Sequence, residues 1–188
     1  MARARRLWIR EQGLLDTTRL VFIDETAVTT NMVRLRGWGT RGSRVIGTVP
    51  LGEWETVTFV AALRQEKMVA AMMFKGAMNG EMFLAYIKKC VVPTLRPRDI
   101  VVIDNCRIHL SPSIREAIEQ AGATLRYLPK YSPDLNPIEL PYSAFKQFLR
   151  KLAARTVPQL SRAIRAFIPQ VSPQQCANYF RHAGYASK

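Results

Sequence analysis

The apolar positions of this chain fall into short blocks whose period changes along its length. RLVFID at Arg19–Asp24 and DIVVIDN at Asp99–Asn105 are continuous apolar runs bounded by polar residues, the pattern of strands buried on both faces. ETVTFVAAL at Glu55–Leu63 and KMVAAMMF at Lys67–Phe74 are joined by the polar Arg64-Gln65-Glu66, which predicts a hairpin or meander with its methionines as core filler. Over Asn79–Leu95 the period becomes helical: Met82, Phe83, Tyr86, Ile87 and Cys90 recur on one face, with Asn79 as cap and Pro93 near the end. Ile114–Gln120 predicts a helix stopped by Gly122, and Thr124–Leu128 a strand ended by Pro129.

The remaining segments are more polar. Arg3–Gln12 reads as a short basic helix, broken by Gly13 and Asp16. Val33–Gly47 interleaves Arg34, Arg36, Arg41 and Arg44 with Gly37, Gly39, Gly42 and Trp38. It reads as a strand, a turn and a second strand with a basic edge, or else as a loop of solvated charges. Asn136-Pro137-Ile138-Glu139 opens a helix that runs to Ala154, and shorter helices follow near Pro158–Phe167 and Pro173–His182, each entered through a proline.

The order of elements predicts an α/β fold. Strands alternating with helices in the second half imply right-handed crossovers and parallel neighbours. The early strands pair antiparallel, so the sheet is mixed, with helices on both faces and a small helical tail. The expected organisation is a basic lead-in helix over 1–18, a main domain over 19–155 and a C-terminal helical tail over 156–188 packed on it.

Composition adds one decisive feature. The 188 residues carry 28 Lys and Arg against 14 Asp and Glu, a net charge of +14. A chain so basic attracts polyanions, of which nucleic acid is the commonest. No apolar run approaches the roughly 18 residues of a membrane helix, and the basic N-terminus lacks the apolar stretch of a secretory signal. Cys90, Cys106 and Cys176 show no C-x-x-C spacing, which argues against a disulfide framework and a zinc site and for a cytoplasmic protein.

Three carboxylates then stand out. Asp24 closes LVFID, Asp104 closes IVVID, and Glu139 opens the long helix after the last strand. An unpaired carboxylate at the end of a buried strand is costly, so it either serves chemistry or reaches solvent. Glu139 has a local alternative of its own: it falls three residues after Asn136, as in a capping box. Two such strands lying side by side would bring their carboxyl ends together, where open α/β sheets bind ligands, and the following helix can carry a third carboxylate there. Oxygen donors without His or Cys suit Mg²⁺ or Mn²⁺. Two such ions roughly 3.5–4 Å apart activate a water or 3′-hydroxyl and stabilise the leaving oxygen of a phosphodiester.

Glu25, Asn105 and His109 are expected neighbours of this site, with local hydrogen bonding as the plainer role for His109. Around it, Arg34, Arg36, Arg41, Lys130, Tyr142, Lys146 and Arg150 form a candidate DNA track, although each charge taken singly reads as solvated. Tyr142, Ser143 and Lys146 share the Glu139 face of the last long helix, opposite a core stripe of Leu140, Phe145, Phe148, Leu149 and Leu152.

VFIDET, VVIDN followed by His109, and YLPKYSPDLNPIE resemble the three signature blocks of DDE transposases of the mariner-like superfamily, in its bacterial insertion-sequence branch. The 34 residues between Asp104 and Glu139 fit that branch's spacing. Cys106, Leu110 and Pro141 depart from its usual pattern. The resemblance implies a ribonuclease-H-like catalytic domain with Asp24, Asp104 and Glu139 as the metal-binding triad. It implies hydrolysis at the ends of a mobile element, then attack of the freed 3′-hydroxyl on target DNA, often at a TA step. The expected partners are DNA, a second copy of the chain on that DNA, and a separate N-terminal helix-turn-helix module, since no such pattern precedes the first strand. A ribonuclease-H-like nuclease without strand transfer, and a non-catalytic DNA-binding remnant, are the rival readings.

Overall fold

The computed structural model describes residues 2–185. Its core is a five-stranded mixed sheet in the order β3-β2-β1-β4-β5. The strands are β1 (Leu20–Thr29), β2 (Thr56–Leu63), β3 (Met68–Lys75), β4 (Ile100–Ile103) and β5 (Thr124–Tyr127). β1, β2 and β3 pair antiparallel, while β4 and β5 add in parallel to the other side of β1. This is the mixed sheet expected from the run of early strands and later alternation.

Strand alternation sends the central side chains to two separate cores. On one face Leu20, Phe22, Phe59, Ala61 and Val102 pack beneath α4 (Glu139–Leu152), α5 (Val157–Phe167) and α6 (Pro173–His182). On the other, Val21, Ile23, Val60, Val101 and Ile103 meet α2 (Gly80–Tyr86) and α3 (Pro112–Gln120). Phe22 is fully buried between the edges of Phe180, 5.4 Å away, and Tyr185, 4.9 Å away. Burying a side chain of this size contributes about 1.5–3 kcal/mol. The C-terminal helices therefore form one core with the sheet.

α1 (Ala2–Gln12) closes the same face. Trp8 Nε1 donates to the Tyr185 hydroxyl at 2.8 Å, which donates to the Leu135 carbonyl at 2.9 Å. Gln12 Nε2 donates to the Gly184 carbonyl at 3.3 Å. A side chain at Gly184 would begin 2.2 Å from that nitrogen, and its φ of +88° already favours glycine. Arg5 completes the contact with a paired hydrogen bond to Asp134, Nη1 to Oδ1 at 2.8 Å.

Several elements differ from the sequence reading. β1 does not end at Asp24 but continues to Thr29, because the β2 edge continues to pair with it after β4 has ended. The helix expected over Asn79–Leu95 keeps its Asn79 cap, whose Oδ1 accepts from Met82 N at 2.9 Å. It then widens into a π turn at Ile87–Val91 and tightens into a 3₁₀ turn at Val92–Thr94, where Pro93 cannot continue the ladder. The two strands expected in Val33–Gly47 do not form. From Arg34 to Gly47 every residue is exposed, so nothing apolar pins a register. The base of this loop is closed by Thr30 N donating to the Glu55 carbonyl at 3.1 Å. Leu140 is only half-buried and Leu152 is exposed, so the core stripe of α4 is carried by Tyr142, Phe145 and Leu149. Among the described residues no helix is long and apolar enough to cross a membrane.

Candidate active site

Strand register brings the first two carboxylates level. β1 and β4 run parallel, with Phe22 beside Val102. Two residues further on lie Asp24 and Asp104, on the same face as Phe22 and Val102 because side chains alternate. β4 stops at Ile103, and a cleft opens there. After β5 the chain returns over this end through Pro129–Ile138 and starts α4 at Glu139. The result is a cleft of about 420 Å³ lined by Asp24, Asp104, Asn105, Cys106, Lys130, Tyr131, Asn136 and Glu139, among others. Residues far apart in the chain thus share one wall.

Asn136 is not the cap of α4. The helix begins one residue after Ile138 and has no side-chain cap. Asn136 Nδ2 instead donates to Asp24 Oδ2 at 2.7 Å. Asp24 Oδ1 accepts from the Glu25 amide at 2.8 Å. The capping-box alternative for Glu139 therefore does not describe the structure. Asn136 is the site residue that sequence reasoning missed. Its place in the motif was visible, but a cap was the nearer explanation for it.

Asp104 is held from behind. His109 is buried at 1 % exposure and bridges the sheet: its Nδ1 meets Asp104 Oδ1, and its Nε2 lies 3.2 Å from Glu25 Oε1. The ring lies against Phe83, with centroids 4.1 Å apart. The Glu25 side chain is on the opposite sheet face from Asp24, and it is linked to Asp104 through His109. Glu25 and His109 stand behind the cleft, whereas Asn105 lines it.

The electrostatics follow from this geometry. Burial pushes the Asp24 carboxyl up to about 8, with the charges of Glu139, Glu25 and Asp104 adding to it. Burial also raises Glu139, opposed by Lys146 and aided by Asp104. Burial disfavours charge on His109, but the hydrogen bonds and charges of Asp104 and Glu25 outweigh it and push the ring up to about 10. Burial likewise opposes ionisation of Asp104, and there the hydrogen bond and charge of His109 prevail and hold the carboxyl below its usual value. At the front of the cleft burial and mutual repulsion therefore favour the neutral forms of Asp24 and Glu139, a preference that a bound cation would reverse.

The donor set fits a hard divalent cation in kind: all-oxygen ligands, among them carboxyls whose ionised forms a cation would stabilise. It is not a closed ligand shell. Among the described residues no group of three His, Cys, Asp or Glu side chains is gathered so as to hold one ion. Asp24 Oδ2 accepts from Asn136 Nδ2 and Asp104 Oδ1 meets His109 Nδ1, so each of these carboxylates already has a protein partner.

The expected DNA contacts divide. Lys130 is exposed at the cleft. Lys146 and Arg150 line a shallow groove with Met32 and Leu35 at the root of the long loop. Arg34, Arg36 and Arg41 are exposed within that loop. Tyr142 does not belong with them. Its side chain is 1 % exposed, and its hydroxyl sits between the Ala61 amide, 3.0 Å away, and the Asp24 carbonyl. A group with no exposed surface cannot meet a phosphate. Tyr142 ties α4 to the strand pair that carries Asp24.

Solved structures with this fold include the Mos1 transposase paired-end complex with left transposon end, 13 % identical at a TM-score of 0.77, the match covering 97 % of this chain and 57 % of that one. The mariner Mos1 paired-end complex with Mg is 14 % identical at a TM-score of 0.75, with 97 % and 57 % covered. The Mos1 transposase catalytic domain with Raltegravir and Mg is 13 % identical at 0.69, with 97 % and 87 % covered. The chain thus spans 57 % of the transposase chain in the first of these complexes. At such identities the likeness is one of fold, the ribonuclease-H-like mixed sheet flanked by helices. Among curated proteins no sequence matches the chain. The family model described as DDE superfamily endonuclease matches residues 19–161, which spans all three carboxylates, and the chain belongs to that family.

Proposed function

We propose that this chain is the catalytic domain of a DNA transposase of the bacterial insertion-sequence type. It would cleave DNA at the ends of a mobile element and join the freed 3′-hydroxyl to target DNA. The observation that carries this reading is the meeting of Asp24, Asp104 and Glu139, from two adjacent strands and the following helix, in one cleft of a strongly basic protein. Membership in an endonuclease family supports the hydrolytic half of the reaction, and the strand-transfer half rests on the likeness to Mos1.

In this reading Asp24, Asp104 and Glu139 hold two ions, Mg²⁺ or Mn²⁺. Bound there, the ions would supply activation of the attacking water or hydroxyl and stabilisation of the leaving oxygen. The protein's own residues do the remaining work. Asn136 and the Glu25 amide hold the Asp24 carboxylate in one plane. His109, braced by Glu25 and Phe83, holds Asp104. Lys130 draws the DNA backbone to the cleft, and Lys146 and Arg150 with the arginines of the long loop extend the basic track. The protein would act as a homodimer on DNA, since two element ends must be held together. A separate helix-turn-helix module would find those ends, in the bacterial cytoplasm beside the nucleoid.

The test is nicking of supercoiled plasmid by the purified chain with Mg²⁺, with Mn²⁺ and with EDTA, beside Glu139→Gln. Metal-dependent nicking that disappears in the variant is the expected result. Nicking that persists in Glu139→Gln or in EDTA would refute the carboxylate assignment. DNA binding by the folded chain without nicking would mean that the helix-turn-helix module is required or that the chain is a remnant, which adding that module in trans decides. Nicked products that never join to target DNA would favour a nuclease without strand transfer.

A further inference from the structure

Tyr131 stands at the mouth of the cleft, next to Lys130, and lines the same wall as Asp24, Asp104 and Glu139. Its side chain is 86 % exposed, and its backbone has a φ of +57°. That left-handed conformation is costly for a residue with a bulky side chain. The segment could relax only if its surroundings let it, and they do not. Leu128 is buried, and its amide donates to the Ile103 carbonyl at 2.9 Å. Ser132 is buried, and its carbonyl accepts from Leu135 N at 3.1 Å. Asp134 is held by Arg5 and the Leu135 carbonyl by Tyr185. The fold therefore holds an aromatic ring out into solvent, in a strained conformation, beside the carboxylates.

An exposed ring on a backbone pinned at both ends, next to a lysine, offers two things at once: a surface for a flat π system and a charge for a phosphate. That combination is how proteins bind unpaired nucleic acid strands. In intact duplex DNA the base faces are already stacked on their neighbours. The ring can pair only with a base that has left the stack, at a frayed end or in a single strand. Resting on the reading of this cleft as a DNA-cleaving site, we propose that Tyr131 is the stacking platform for an unpaired nucleobase next to the cleaved phosphodiester. It makes the site selective for DNA whose strands are already parted there.

The test needs no metal and no cleavage. Binding of the full chain to a fluorescein-labelled forked duplex and to a fully paired duplex of the same sequence is followed by anisotropy in EDTA. The wild type binds the forked DNA more tightly. Tyr131→Phe keeps that preference, because the ring remains. Tyr131→Ala and Tyr131→Gly weaken forked-DNA binding about tenfold, the scale of one lost base stack, and leave paired-DNA binding unchanged. Gly removes the backbone strain as well, so agreement between the two assigns the loss to the ring. Unchanged binding in Tyr131→Ala, an equal loss on both DNAs, or a wild type without preference overturns the proposal while leaving the carboxylate reading to the nicking assay. Failure of the wild type to bind either DNA overturns both.

Discussion

The Asn136 carboxamide donates to Asp24 Oδ2 at 2.7 Å, joining residues 112 positions apart in the chain. Because Asp24 Oδ1 already accepts from the Glu25 amide, both carboxylate oxygens are engaged and the plane of the group is set. Groups that orient a metal ligand in this way typically govern affinity about 10–100-fold. Asn136→Ala should therefore weaken Mn²⁺ binding by that factor, measured by calorimetry on the DNA-free protein. Unchanged affinity would reduce Asn136 to a structural part of the loop.

The crowded carboxylates should make the metal-free protein sensitive to pH. The folded-state pKa of Asp24, about 8, lies above its ordinary value, so the fold prefers the protonated form. The stability this contributes is complete below the ordinary carboxylate range and is lost as pH rises toward 8. Asp24→Asn removes the titration. In EDTA, wild type should lose stability between pH 5 and pH 8 relative to Asp24→Asn, by an amount on the order of a few kcal/mol. Urea unfolding at both pH values measures it, and parallel curves for the two proteins would contradict it. Adding Mg²⁺ at pH 8 should restore wild type and not the variant.

Lys146 and Arg150 line one groove at the root of the arginine-bearing loop. If both neutralise phosphates, replacing both with Ala should flatten the slope of log affinity against log salt by about 2, since each contact is worth about 0.9. Fluorescence anisotropy over a salt series reads this directly. An unchanged slope would mean that the DNA runs elsewhere. Tyr142→Phe serves as the contrast. It should leave the salt slope intact and lower stability by about 1 kcal/mol through the lost bridge between the Ala61 amide and the Asp24 carbonyl.

Much of the architecture was legible because it depends on local pattern. VFID and VVID read as buried strands since no other element buries a short continuous apolar run so well, and Asp104 marked the sheet end where β4 stops, while Asp24 lies within a longer β1. The helix of Pro173–His182 was legible from its proline entry, and in the structure Ser172 and Gln175 form a capping box there. The segment Val33–Gly47 was legible only as a choice between two forms. Its arginines and glycines allowed either two strands or a loop of solvated charges, and the loop is what forms, because a strand exists only where a partner edge and a buried face select its register and this segment has neither.

The sequence by itself determined the order of elements, the basic surface and three carboxylates at chain positions that a sheet can bring together. Only the tertiary structure decided the rest. It turned Asn136 from helix cap to partner of Asp24, placed Glu25 on the far face where His109 relays it to Asp104, and buried Tyr142, expected on the DNA track, against the strands that carry Asp24 and Ala61. The reason is physical. A strand or a helix is specified by neighbours a few residues away, whereas a polar side chain takes its partner from whatever the completed fold sets beside it. For Asn136 and Asp24 that partner lies more than a hundred residues along the chain.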